Sequence, residues 1–352
     1  MTRLTTSQWQ YLHDRPLGRG RFKQCATDFI VTEQLGYKPI GEGEHIYVWM
    51  EKQALNTAYV AEQLAKFCGI PLRAVTYAGR KDKFALTQQW FGVHLPGKVD
   101  PDWQQFTLEG ARITYSVRHN KKLRTGNLKG NQFSIRLRGV REPNDIERRI
   151  EQVATHGAPN YYAEQRFGVR RNNDGQLQVG GNLVMAERML EGEVIRNRNK
   201  RSMAISALRS WLFNQMVSER IAAGHINKVL PGDALQLEGS NSFFIAQGND
   251  PELVDRLASG DVLITAPLVG RDALATTSAA LAFEGDCLSN YQDIVSCLAD
   301  LGLKQERRAV MVKPTQLKYE FSENDCILQF SLPAGCYATA VLREIVNIEE
   351  GE

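Results

Sequence analysis

This chain of 352 residues reads as strand at both ends and as helix through much of its middle, and that arrangement restricts its fold more than any other feature. Asp28–Leu35 (DFIVTEQL) and His45–Lys52 (HIYVWMEK) alternate apolar with polar residues and are rich in β-branched and aromatic side chains, which predicts strands. The polar turn Gly41-Glu42-Gly43-Glu44 separates them. Ala74–Gly79, Gln89–Leu95, Ala111–Val117 and Gln132–Leu137 read as four more strands. A helix is expected over Asn56–Gly69, capped by Asn56, with Tyr59, Leu64 and Phe67 on its apolar face and Gly69 as its stop. Another is expected over Pro143–Val153. Strands return at Ala309–Val312, Leu317–Phe321 and Cys326–Leu332, before a helix from Ala338 to Asn347. Between these ends lie a loop-like Gly168–Gly181, a long helix at Arg201–Ala223, short strands at Leu235–Leu237 and Phe243–Ala246, and a helix at Asn290–Leu301. Pro267–Phe283 shows no clear period. A sheet begun early and completed late makes the middle an insertion, hence two domains, with a ligand expected in a cleft between them.

Composition removes several function classes. No apolar run approaches the ~18 residues of a membrane helix, and the first thirty residues lack a signal-peptide core, so a cytoplasmic protein is expected. The six cysteines form no C-x-x-C pair and the six histidines form no H-E-x-x-H group, so six free thiols, several of them buried, and no metal are expected. There is no phosphate-binding G-x-x-x-x-G-K-[ST], and Gly18-Arg19-Gly20 lacks the rest of a dinucleotide fingerprint. No cofactor is implied.

The net charge of +3 is small, but the cations are clustered. Residues 111–130 hold six Lys/Arg and no acid, and residues 194–218 hold five and no acid. Such stretches attract a phosphate backbone, because neutralised phosphates release counterions.

The segment Tyr77–Gln89 (YAGRKDKFALTQQ) is the most informative. A strand enters a glycine, then a carboxylate, Asp82, flanked by Arg80, Lys81 and Lys83, then a second strand. Nearby positive charge keeps a carboxylate ionised. At a loop apex it serves either as a nucleophile or base, or as part of a solvated hairpin turn.

The same segment resembles the G-x-K-D-K-x-A-x-T-x-Q motif of the TruD family of tRNA pseudouridine synthases, matching it at Gly79, Lys81, Asp82, Lys83, Ala85, Thr87 and Gln89. Further blocks match in order: Lys23–Glu33, Leu128–Phe133 (LKGNQF), Pro159–Tyr162 with Gln165–Gly168, Arg198–Arg201 (RNKR), Leu212–Asn214, and Leu332–Gly335 with Tyr337–Thr339 and Arg343-Glu344. The resemblance spans nearly the whole chain. Ala163-Glu164 and Cys336-Tyr337 stand where family members often have Gly-Ala and Ser-Phe.

The resemblance implies an α+β fold. A pseudouridine synthase catalytic domain, with a mixed, mainly antiparallel sheet and helices, would take residues 1–156 and 304–352. A TRUD-specific α/β domain would be inserted at 157–303. It implies isomerisation of uridine 13 in the D arm of tRNA, with tRNA as partner. Beside it, a cytoplasmic monomer that uses no membrane, metal or cofactor is expected. Asp82 would be the essential aspartate, attacking the sugar C1′, attacking C6 of the base, or removing the 2′ proton. Lys23 would pair with it, and Phe133 would pack on the target base. Phe29, Asn131 and Tyr337 would surround the nucleotide. Phosphate contacts are expected from Arg118, Lys121, Lys122, Arg124 and Lys129, and from Arg166, Arg198, Lys200 and Arg201. Two other readings compete. One is a tRNA-binding or folding factor whose catalysis is dispensable. The other is a hydrolase with paired carboxylates, for which no second carboxylate stands out near Asp82.

Overall fold

The computed structural model describes residues 4–349 apart from 7, 98, 169, 172–176, 179 and 249. By contact the chain divides into two compact units. One comprises Pro16–Ala154, Pro314–Ala338 and Ile345–Glu352. The other comprises Met1–Arg15, Thr155–Lys313 and Thr339–Glu344. Described residues of 4–15, together with 339–344, thus group with the middle of the chain. The reason lies in side chains rather than in periodicity. Trp9 stacks on Tyr161 with ring centroids 5.7 Å apart, and the Arg343 guanidinium lies 3.5 Å from the centre of the Tyr11 ring.

The first unit is built on ten strands: β1 (Arg19–Phe22), β2 (Phe29–Leu35), β3 (His45–Lys52), β4 (Val75–Tyr77), β5 (Leu86–His94), β6 (Ala111–His119), β7 (Leu128–Arg141), β8 (Thr315–Ser322), β9 (Asp325–Pro333) and β10 (Asn347–Glu349). Their order is β8-β9-β7-β2-β5-β3-β6, with β4 on β5 and β1 joined to both β7 and β10. The β2–β5 and β1–β10 pairs are parallel and the rest are antiparallel, so the sheet is mixed and mainly antiparallel, as expected. β7 runs well beyond the expected Gln132–Leu137 because its polar residues also find partners. Arg138 grips the buried Asp28 through two nitrogens at 2.8 and 2.9 Å. That contact keeps Asp28 in a short 3-10 turn, Ala26–Asp28, ahead of β2 rather than within it.

Helix α1 (Thr57–Phe67) buries Val60, Ala61, Leu64 and Ala65 against Met50, Val75 and Phe91. Two of those four are alanines, which a hydrophobic pattern passes over easily. Tyr59, expected on that face, is 44% exposed. Asn56 occupies the cap position, but its side chain makes no capping bond. Helix α2 (Pro143–His156) buries Ile146, Ile150 and Val153, and its early Asp145 accepts the N–H groups of Leu17 and Gly18, both at 2.9 Å.

The second unit centres on a helix over Arg198–Ala222, in which every residue from Ser210 to Ser218 is buried. A helix enclosed on all sides is itself core. Beside it lies an antiparallel sheet in the order Phe243–Ile245, Ala234–Leu237, Val262–Leu268, Glu306–Ala309. Val262–Leu268 and the helices Gly181–Leu190, Pro251–Ser259 and Ser278–Ser289 were not anticipated. Ser278–Ser289 buries Ala280, Glu284 and Leu288, and Glu284 is held by Arg307 at 2.7 Å. A helix that buries an ion pair lacks the apolar stripe by which sequence reveals one. Of the expected loop Gly168–Gly181, Arg170–Arg171 and Leu177–Gln178 pair as short antiparallel strands, and most of the remainder lies outside the described residues.

All six cysteines are free, but only Cys326 is buried. Among the described residues no helix is long and apolar enough to cross a membrane, and no cluster of His, Cys, Asp or Glu is placed to hold a metal ion.

Candidate active site

Asp82 sits in the connection between β4 and β5, and five side chains fix that connection. Thr57, the first residue of α1, accepts the Lys81 N–H at 3.0 Å. Its hydroxyl also bonds the Gln89 side-chain oxygen at 3.1 Å, and the Gln89 amide reaches the Gly79 carbonyl at 3.2 Å. Lys52 points inward from β3 and donates to the carbonyls of Leu55 at 2.9 Å and Asp82 at 3.3 Å. Lys81 pairs with Glu33 of β2 at 2.7 Å, both side chains being almost fully buried. Burial pushes the Glu33 carboxyl up, and the Lys81 charge offsets part of that. Burial pulls the Lys52 ammonium down to about 8, against the favourable charge of Asp82. The motif residues around Asp82 are therefore largely clamps that hold one loop.

The carboxylate they present meets Lys23, whose Nζ lies 2.5 Å from Oδ2. The other oxygen accepts the Phe84 N–H at 2.9 Å. Burial pushes the Asp82 carboxyl up, but the Lys23 charge, the Lys23 hydrogen bond, the Phe84 N–H and the Lys52 charge outweigh it. The group is held below the ordinary carboxylate value and is an anion at neutral pH. Lys23 also lies 4.4 Å from the centre of the Phe29 ring. Phe29 in turn stacks nearly parallel to Phe133, at 6.0 Å and 8°. Lys23 and Phe29, Asp82, and Phe133, drawn from three separate stretches of sequence, thus form one linked cluster.

Asn131 lies opposite Glu33 on β2 and Leu332 on β9, and the side-chain oxygen of Asn131 is buried with no hydrogen-bond partner among the described residues. Its neighbour Gly130 is needed for close approach, since a Cβ there would lie 2.2 Å from the Leu332 carbonyl oxygen. Tyr337 is half-buried on the connector after β9, whose Ala334 N–H bonds the Lys129 carbonyl at 3.2 Å.

The expected phosphate contacts divide into two groups. Lys121, Lys122, Arg124 and Lys129 are exposed around the β6–β7 connection. That connection is tied to the segment leading into the Asp82 loop, because the Gly126 N–H bonds the Ala78 carbonyl at 3.0 Å. Arg198, Lys200 and Arg201 are exposed at the start of the long helix of the second unit. Arg118 is committed elsewhere, to Asp100 at 2.5 Å and to the Gly43 carbonyl at 2.8 Å. Arg166 bonds the Ser210 hydroxyl at 3.1 Å and lies 5.4 Å from the centre of the Tyr162 ring. Sequence reasoning gave no role to Lys52, Thr57 or Glu33. Strand alternation offered a signal for Lys52, which falls in phase with the inward-facing Ile46, Val48 and Met50.

A family model described as tRNA pseudouridine synthase D (TruD) matches residues 7–190 and 194–345. Proteins named tRNA pseudouridine synthase D are similar over nearly their whole length. That of Pseudoalteromonas atlantica is 54% identical over 97% of this chain and 97% of its own. That of Aeromonas hydrophila is 47% identical over 98% and 96%. A crystal structure from Methanosarcina mazei, named for a TruD protein, superposes with a TM-score of 0.70 at 22% identity, over 96% of this chain and 95% of that one, and shows the same fold. With its motifs gathered into one cluster and matches of this extent, the chain belongs to the tRNA pseudouridine synthase D (TruD) family.

Proposed function

We propose that this protein isomerises uridine 13 in the D arm of tRNA to pseudouridine, with Asp82 as the essential carboxylate. The observation that carries the reading is the 2.5 Å Lys23–Asp82 ion pair beside the stacked Phe29 and Phe133 rings. The sheet unit acts as the catalytic domain and the other unit as the domain inserted in this family. The protein works as a cytoplasmic monomer. The C1′–N1 bond breaks, the uracil turns, C5 bonds to C1′, and the proton lost from C5 is balanced by one gained at N1. No atoms enter or leave overall, which suits a chain whose sequence carries no cofactor or metal motif.

The ionised Asp82 supplies the nucleophile or base, and Lys23 keeps it charged and aimed. Flipping a uridine out of folded RNA costs a few kcal/mol. Stacking on an aromatic such as Phe133 returns about 1–3 kcal/mol. The unpartnered Asn131 oxygen suits an N–H or hydroxyl of the nucleotide. Phe29 and Tyr337 complete the surround, and the exposed lysines and arginines of the β6–β7 connection and of Arg198–Arg201 take phosphates.

The test is carbodiimide mapping of pseudouridine by primer extension, on tRNA transcripts incubated with the protein alone. Wild type should produce a new stop at the D-arm uridine. Asp82→Asn and Asp82→Ala should produce none while still binding tRNA. Normal turnover by either variant would remove Asp82 from the chemistry. Tight binding with no stop from wild type would favour an RNA-binding factor instead.

A further inference from the structure

The proposed reaction leaves one face of the sheet unused. Lys52 and Gln89 reach the Asp82 loop from the side that carries α1, and Trp49 and Trp90 alternate with them and project from the opposite side. There, in register across three neighbouring strands, Trp90, Trp49 and Tyr115 form a row. Ring centroids are 5.0 Å apart for Trp49–Trp90 and 6.1 Å for Trp90–Tyr115. Tyr115 is 56% exposed, and both tryptophans are half-buried. β6 ends the strand order, so the row runs out to an edge of the sheet.

Cations border this row on both sides. Arg112 lies beyond it on β6, near Glu51 at 3.4 Å. On the other border runs the β6–β7 connection. Its Leu123 packs on Tyr47, two residues before Trp49 on the same face, and a Cβ on Gly92 would come within 2.9 Å of Leu123. The exposed Lys121, Lys122 and Arg124 therefore lie over the row's own face. The same connection continues to Lys129 and Asn131 at the candidate active site.

We infer that the Trp90–Trp49–Tyr115 row is a stacking platform for unpaired bases of the RNA substrate, away from Asp82, with the RNA phosphates following the Lys121–Lys129 connection. The inference rests on the tRNA reading above. Every base has a π-face, so aromatic rings flanked by cations suit single-stranded RNA without regard to sequence.

Binding is measured in the full-length Asp82→Asn protein, so that RNA is not turned over, with a tRNA transcript and with single-stranded oligouridylate. Tyr115→Ala and Trp49→Ala should each weaken binding about fivefold or more, the effect of losing one base stack. Tyr115→Phe should bind as its parent does. So should Tyr59→Ala, which removes an exposed tyrosine from α1. A 5-iodouridine transcript should cross-link to the peptide that contains Tyr115. Unchanged affinity in both alanine variants would overturn the inference, whether or not their melting temperatures fall, since a fall alone means that the rings only brace the sheet. Light scattering that shows a wild-type dimer broken by Tyr115→Ala would also overturn it and assign the face to a second copy. If the parent protein binds no tRNA at all, the proposed function fails first. If the parent binds and the variants match it, only the platform fails.

Discussion

Lys23 adopts a φ of +58°, a region that costs a non-glycine residue about 1–2 kcal/mol. The turn brings its ammonium over Phe29 and onto Asp82, so the strain coincides with the contact that sets the carboxylate's charge. Lys23→Met keeps an aliphatic chain over Phe29 and removes that charge. Burial then acts on Asp82 with less opposition, and its pKa rises. The acid limb of kcat/KM, expected below the ordinary aspartate value of 3.8 in wild type, should move to higher pH in Lys23→Met. The stability effect has a matching sign. A carboxylate with a depressed folded pKa contributes stability above its unfolded pKa and loses it as pH falls through the folded value. Wild type should therefore lose this contribution only below pH 3.8, and Lys23→Met should lack most of it at every pH. Rate–pH profiles and acid unfolding of the two proteins check this, and an unmoved acid limb would mean that Lys23 does not hold the charge.

At the scale of the element, the helix Arg198–Ala222 opens with Arg198, Lys200 and Arg201, all exposed in its first turn. That end is already the positive pole of the helix, where each cation costs about 0.3–1 kcal/mol. Asn197 accepts the Lys200 N–H at 3.1 Å and offsets part of the cost. Cations kept against the dipole point to an anion. Lys200→Glu with Arg201→Glu should raise the melting temperature and at the same time weaken tRNA binding. A more stable protein with unchanged affinity would mean that these charges serve no RNA contact.

Over the whole molecule the net charge of +3 says little, because cations and anions are sorted into different stretches. The β6–β7 connection exposes its cations around Leu123, which is buried and anchors the loop. The double substitution Lys121→Ala, Lys122→Ala should lower the slope of log affinity against log salt by about 0.7–0.9 for each phosphate no longer neutralised. Its binding curve should converge on the wild-type curve as salt rises. Parallel lines would remove both lysines from the footprint. Arg118 differs from them in being held by Asp100 and the Gly43 carbonyl, so Arg118→Ala should reduce stability and leave the salt slope in place.

The strand His45–Lys52 has the bounds its alternation predicts, and Ala111–Val117 and Cys326–Leu332 fall within strands only slightly longer. Alternation records which face of a strand is buried, and that information is local. The motif around Asp82 was equally legible as residue types and spacing. What those residues touch was not. Thr57, Gln89, Lys52 and Glu33 converge on one loop from α1 and three different strands, and no spacing encodes that meeting. Ser278–Ser289 escaped for a related reason, since its buried Glu284 is tolerated only because Arg307 arrives from a distant strand. The chain's own sequence determined the strand-rich ends, the helical middle, the charged stretches and the motif around Asp82. Tertiary structure alone decided which cations are exposed and which are paired, which residues clamp the loop, and where 4–15 and 339–344 belong, because ion pairs and ring contacts between remote segments leave no period in either one.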